Sequence, residues 1–211
     1  MSDSRTANMT VAERLVSLHF TAQQDAASDL AAVEMTQLDP FLRGVLFTDG
    51  TVSRALEAHT LCHVAVEAVE QAPGPVPAPV ARQLELAPSD QCLRRRVTMT
   101  IAGPQPSVWA ESYLALHRMP PQFISQLDGN PQGIGGSLQQ LKLESRRELL
   151  WFGIGPPPVW AQHAHAPATA LTRCYRVLTQ GLPALLICES FAVELRSGLY
   201  HLMGTSTSPP A

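Results

Sequence analysis

The stretch CLRRRVTMTIAGPQPSVWAESYLALH (92–117) constrains the fold more than any other part of the chain. Two runs of alternating apolar and polar residues, 92–102 and 107–117, flank AGPQPS, a spacing that suits an antiparallel hairpin with a loop of several residues. Alternation sends successive side chains to opposite faces of a strand. In the first run one face receives Cys92, Arg94, Arg96, Thr98 and Thr100, and the other Leu93, Arg95, Val97, Met99 and Ile101. Arg95 therefore stands in the apolar row. A guanidinium turned into a core needs a partner, because an unpaired buried charge is strongly unfavourable. It meets either a structural carboxylate or a bound anion, whereas Arg94 and Arg96 read as a solvated face paired with acids on a neighbouring strand.

Further strands are expected at 61–69, in LKLESRRELLWFGI (141–154), and on both sides of the QGLP turn in ATALTRCYRVLTQGLPALLICESFAVEL (168–195). The proline run APGPVPAPV (72–80) ends the first of these as a loop or a sheet edge, since proline cannot donate within a central sheet. Helical patterning occupies 11–34. In 37–60 Asp39 caps a short helix with Pro40 at its first position, and Thr51 or Ser53 caps a second, giving a helical hairpin. Residues 120–128 read as helix, and DGNPQGIGG leads as a loop to a short helix at 137–140. Strands in consecutive hairpins with grouped helices predict a single α+β domain, an antiparallel sheet covered by helices. The expected division is a helical extension over 1–37, the domain over 38–197 and a flexible tail over 198–211.

Composition removes several function classes. With 211 residues, 45% hydrophobic and 16% charged, the chain is of ordinary globular type. A formal net charge of −3 argues against a general nucleic-acid or acidic-membrane binder, so any anion must be caught locally. No apolar run approaches the roughly 18 residues of a membrane span and no leader pattern opens the sequence, which makes the cytoplasm the expected location. Cys62, Cys92, Cys174 and Cys188 form no Cys-x-x-Cys pair and are expected as free buried thiols.

The alternation test finds a second charge. Leu185, Ile187, Glu189, Phe191 and Val193 share one face, and 184, 186 and 188 are apolar too, which points to a central strand buried on both faces. Arg95 and Glu189 either pair directly or face one cavity, the arginine gripping a carboxylate and the glutamate accepting from a hydroxyl or moving a proton. GIGGS (133–137) lets backbone N–H groups of Ile134 and Gly135 approach a ligand, although it lacks a phosphate-loop lysine. Arg146 and Arg147 alternate faces, so one of them points inward. His163 and His165 read as surface histidines, and Ser112 and Ser190 have no activating histidine motif, which argues against a serine hydrolase.

FLRGVLFTDGTVSRALEA (41–58), CLRRRVTM (92–99), WAESYLALHRMP (109–120), IGGSLQQLKLESRRELLW (134–151) and CYRVLTQGLPALLICESF (174–191), in this order, resemble the chorismate lyase family, closer to its cyanobacterial and actinobacterial branch than to the short proteobacterial enzymes. The resemblance implies a six-stranded antiparallel sheet with helices packed on it and a cavity beneath helical flaps. It further implies conversion of chorismate to 4-hydroxybenzoate and pyruvate without metal or organic cofactor. Carried across, the arginine on the ring carboxylate falls on Arg95, the acid at the ring hydroxyl on Glu189, and two backbone N–H contacts on Val52 and Ile134; Arg146 or Arg147 would meet the enolpyruvyl carboxylate. Glu189 lies one residue further from its turn than in the short enzymes, and Val52 replaces their methionine. The implied partners are a small-molecule substrate and an aromatic acid product, with no nucleic acid or membrane, in a monomer or homodimer. The same fold also serves as the sensing domain of bacterial transcription regulators; residues 1–37 are too few for their winged helix-turn-helix and carry no basic face. A lyase yielding a different benzoate is the third reading.

Overall fold

A computed structural model of the chain describes residues 9–87, 89–127, 133–162 and 167–203. The elements in order are α1 (Val11–His19), α2 (Pro40–Phe47), α3 (Val52–Thr60), β1 (Val64–Pro75), α4 (Ala78–Leu84), β2 (Gln91–Ile101), β3 (Pro106–Ala115), α5 (Pro121–Leu127), α6 (Gly133–Gln140), β4 (Ser145–Gly155), β5 (Ala170–Thr179), β6 (Leu182–Arg196) and β7 (Leu199–Leu202). The six long strands form one antiparallel sheet in the order β1-β2-β3-β6-β5-β4, and β7 pairs with the end of β6. This is the α+β fold expected from the sequence, and β6 is indeed central, buried on both sides.

The inner face of the sheet carries Leu93, Val97, Leu114, Leu185, Ile187, Phe191, Tyr175 and Val177 against Leu42, Leu46 and Leu56 of α2 and α3 and Phe123 and Leu138 of α5 and α6. The outer face buries Leu150, Trp151, Cys174 and Leu186 under Val80 and Leu84 of α4. A register shift between Leu149 and Trp151 allows adjacent Leu150 and Trp151 to serve the outer cluster while Leu149 and Phe152 serve the inner one. Asp39 caps α2 as expected, its Oδ1 accepting from Leu42 N–H at 2.7 Å. Thr51 occupies the cap position of α3 but makes no capping bond through its side chain.

Several expectations are corrected. The helix expected over 11–34 ends at His19; Thr21 and Ala22 N–H groups instead donate to Leu149 and Leu150 carbonyls and Ala31 pairs with Ile154, so this segment covers the outer edge of β4. The first strand runs from Val64 through Pro75, and its prolines are tolerated because β1 is an edge. Within the proline run, α4 opens at Ala78 with Pro79 in its first turn rather than continuing a loop. Helix α6 spans Gly133–Gln140 rather than 137–140: Ser137 lies inside it, its hydroxyl donating to the Gly133 carbonyl at 3.2 Å, and Gly133 accepts the left-handed φ of 63° found at the first position. Leu199–Leu202, expected in a flexible tail, pair as β7 with Val193–Arg196; 204–211 lie outside the described residues. Cys174 and Cys188, expected as free thiols, are directly opposed across β5 and β6 with a Cα–Cα distance of 4.1 Å and form a disulfide, while Cys62 and Cys92 are free.

Candidate active site

Register places the polar residues of the inner face in two adjacent rows. One runs Gln71, Arg95, Ser112, Ile187, Tyr175 across β1, β2, β3, β6 and β5. The other runs Val97, Ala110, Glu189, Arg173 across β2, β3, β6 and β5. Arg95 and Glu189 thus stand with one strand between them, two inter-strand spacings across and two residues along, about 12 Å between backbones. The residues of β3 between them, Ala110 and Ser112, are small and leave room above the sheet. A cavity of about 50 Å³ opens there, floored by Arg95, Ala110, Ser112, Tyr175 and Glu189 and roofed by Val52 and Ile134.

The charged and phenolic side chains at this floor are held. Arg95, 3% exposed, donates through Nε to Gln71 Oε1 at 2.9 Å. Glu189, 4% exposed, does not pair with Arg95; its Oε2 lies 2.9 Å from both Nε and Nη2 of Arg173. Arg173 is fully buried, and its Nη1 donates to the Val45 carbonyl and to those of Leu46 and Thr48, at 3.3 and 3.4 Å, at the C-terminal end of α2. A helix C-terminus presents unpaired carbonyls with partial negative charge, so a cation suits this place. The Tyr175 hydroxyl donates to Glu189 Oε1 at 3.3 Å. Its ring lies between two guanidiniums, with Arg173 Cζ 4.9 Å and Arg147 Cζ 5.8 Å from the centroid. Burial pushes the Tyr175 phenol up, and the Glu189 carboxylate adds to the shift.

The roof is built by two helix N-termini. Val52 opens α3, Ile134 and Gly135 lie in the first turn of α6, and all three line the cavity. The close approach depends on glycine: a Cβ at Gly135 would fall 2.8 Å from Thr51 Oγ1. Arg147 also lines the cavity and donates to the Asp49 carbonyl in the link between α2 and α3. Arg146 is turned away, exposed and paired with Glu148. Of the two arginines, Arg147 is the one at the site.

The flanking arginines of the opening run lie on the outer face. Arg94 pairs with Glu70, and Arg96 pairs with Glu70 at 2.8 Å and Glu111 at 2.7 Å beneath the Trp160 ring. His163 and His165 lie outside the described residues. Among the described residues no three His, Cys, Asp or Glu side chains come together as a metal site, and no helix is long and apolar enough to cross a membrane. Sequence reasoning missed Arg173, Tyr175 and Gln71. The signal for Arg173 was present, since Leu171, Arg173, Tyr175 and Val177 form an apolar row interrupted by one charge, as at Arg95. Gln71 carried no such signal, because a bulge between Ala68 and Glu70 breaks the alternation of β1.

The chain is similar to known proteins in structure and in sequence. By structure, the chain is similar to the effector domain of PhnF from Mycobacterium smegmatis, with a TM-score of 0.54 at 11% identity over 68% of this chain and 88% of that one. Intact PhnF from the same organism gives 0.55 at 10% identity over 69% and 65%. These likenesses establish the fold. By sequence, the chain is 26% identical over 168 residues to a chorismate pyruvate-lyase of Mycobacterium leprae, covering 77% of this chain and 79% of that protein. The same identity and length relate it to the chorismate pyruvate-lyase of Mycobacterium tuberculosis, of which 84% is covered. The profile described as chorismate pyruvate-lyase Rv2949c-like matches residues 46–199, a span that includes both rows of the cavity floor and both helix N-termini of its roof. The chain therefore belongs to the Rv2949c-like chorismate pyruvate-lyase family.

Proposed function

We propose that the protein is a chorismate pyruvate-lyase that forms 4-hydroxybenzoate and pyruvate in the cavity between the sheet and α3 and α6. The observation that carries this reading is the charge of the cavity. The two guanidiniums that line the space, Arg95 and Arg147, match in number the two carboxylates of chorismate. Arg95 grips the ring carboxylate. Glu189, across β3, accepts from the hydroxyl on ring carbon 4, a span that a para-substituted ring bridges with a hydrogen bond at each end. Arg147 meets the enolpyruvyl carboxylate, and the N–H groups of Val52 and Ile134 close over the ligand.

In the reaction the C3–O bond to the enolpyruvyl group breaks, carbon 4 loses its hydrogen as a proton, and the C4–H electron pair becomes the ring double bond that completes aromaticity. The oxygen leaves as the enolate, which takes up the proton and tautomerises to pyruvate. Atoms and electrons balance, so no external oxidant or reductant enters, and we assign no metal or organic cofactor to the step. The gain of aromaticity supplies the driving force. The protein's part is to hold a reactive conformer and to stabilise the charge on the departing oxygen, for which Arg147 is the nearest cation.

Incubation with chorismate, followed by a pyruvate assay and chromatography of the aromatic acid, tests the reading. Pyruvate with 4-hydroxybenzoate supports it. Pyruvate with another benzoate overturns the product assignment, and absence of pyruvate with retained binding of aromatic acids identifies a binding domain instead.

A further inference from the structure

We propose that Arg173 and Tyr175 are positioning residues that orient Glu189, so that its Oε1 alone faces the ligand hydroxyl. The proposal rests on the lyase reading for the identity of that ligand, but its geometry is independent of it. A carboxylate has about four acceptor positions, two on each oxygen. Nε of Arg173 donates to Oε2 at 2.9 Å, and Nη2 stands 2.9 Å from the same oxygen as an ion-pair contact without hydrogen-bond geometry, so Oε2 is turned to the guanidinium. The Tyr175 hydroxyl engages Oε1 once, at 3.3 Å, which leaves this oxygen one further acceptor position above the cavity floor. The third nitrogen of Arg173, Nη1, is anchored on the carbonyls of Val45, Leu46 and Thr48. The same guanidinium thereby ties the carboxylate to the end of α2, from which residues 48–51 lead to Val52 in the roof. Glu189 is oriented from behind by a group that also sets the height of the cover above it. Tyr175 completes the arrangement, since without its hydroxyl Oε1 is free to turn between two rotamers of the carboxylate.

A residue that only stabilises the fold changes the amount of active protein, whereas one that orients the reacting carboxylate lowers kcat while KM, set by the carboxylate contacts of Arg95 and Arg147, stays in place. Tyr175→Phe removes the hydroxyl and keeps the ring between its two arginines, so it is the primary test. The expected result is a fall in kcat of about tenfold with KM for chorismate within about twofold, for protein whose near-ultraviolet circular dichroism matches the parent. Arg173→Lys, which cannot span Oε2 and the α2 carbonyls together, is expected to lower kcat further. An unchanged kcat in Tyr175→Phe, or a rise in KM at constant kcat, overturns the proposal. If the parent protein itself releases no pyruvate, the lyase reading fails, and positioning is then measured by binding. The parent should prefer 4-hydroxybenzoate to benzoate, and Tyr175→Phe should lose at least about half of that preference in affinity ratio; an equal preference in both proteins refutes the assignment of Tyr175 and Arg173.

Discussion

Arg95 shows how the row in which a side chain stands decides what it meets. Its neighbours Arg94 and Arg96 share its chemistry and differ only in the face they take, and that alone puts them against Glu70 and Glu111 on the outer surface. Partly exposed pairs of that kind contribute little to stability. Arg95→Ala is expected to lower kcat/KM for chorismate by at least about a hundredfold while leaving the thermal midpoint nearly unchanged; steady-state kinetics with a melting curve checks both, and a variant of near-normal activity would remove Arg95 from the ligand. Glu189 behaves differently because its partner is fully buried. Glu189→Ala leaves the Arg173 guanidinium without its carboxylate at zero exposure and is expected to destabilise the protein by about 3–5 kcal/mol. Glu189→Gln keeps an oxygen for Arg173 and is expected to fold while losing most turnover, a difference that urea titration and a pyruvate assay will separate. Alternation exposed both residues from sequence because each is one charge in an otherwise apolar row. What alternation does not reveal is which opposite charge a residue meets: that depends on strand order, and β5, carrying Arg173, lies beside β6 while β2 does not.

At the scale of elements, the site is made where two helices present their first turns over a gap in the sheet. The gap exists because β3 contributes Ala110 and Ser112 at the positions between Arg95 and Glu189, and the roof descends because Gly135 admits Thr51. Gly135→Ala is instructive, since alanine favours a helix by about 1 kcal/mol over glycine, yet its Cβ would stand 2.8 Å from Thr51 Oγ1 and 3.0 Å from Cγ2. Overpacking of this kind costs about 1–3 kcal/mol. The substitution is therefore expected to destabilise the parent and to raise KM by displacing α6. In a Thr51→Gly background, where those atoms are gone and glycine is still an accepted cap, the same substitution should become neutral or stabilising. Melting temperatures of the four proteins measure the coupling, and additive effects would show that the helices do not meet there. Elements with strong local signals were legible in the sequence: the 92–117 hairpin, the Asp39-Pro40 helix start and the strands around QGLP all stand where patterning puts them. Elements decided by tertiary pairing were not. Residues 20–34 have helix-compatible composition, but the edge of β4 requires partners for its carbonyls, and that demand overrides propensity.

For the molecule as a whole, the cavity and the stability curve are linked through Tyr175. At about 50 Å³ the cavity is far below the roughly 300–1,000 Å³ of a ligand pocket, so the space between the sheet and its helical cover has to widen to take an aromatic acid. Opening admits water to the Arg173, Tyr175 and Glu189 cluster, and the protonation state that burial favours then stabilises the closed, folded form. Burial and the Glu189 charge both raise the Tyr175 phenol above its ordinary value near 10, so the folded state holds this proton more tightly than the unfolded chain does. The resulting stabilisation is complete below about pH 10 and is lost as pH rises beyond it, by up to about 1.4 kcal/mol per pH unit. Tyr113 and Cys92 are raised in the same direction, chiefly by burial, and contribute to the same decline. The background is favourable for the measurement, because Lys142 is the sole lysine among the 15 basic side chains and the arginines keep their charge in this range. Unfolding free energies of the parent and Tyr175→Phe between pH 8 and pH 11.5, from urea titrations, isolate the contribution of Tyr175. The variant is expected to be less stable at pH 8, where it lacks the hydrogen bond to Glu189, and to decline more gently above pH 10, so that the two curves converge. Parallel curves would mean that the phenol is as free to ionise in the folded protein as in the unfolded chain, and that the cluster is open to water without any movement of its helical cover.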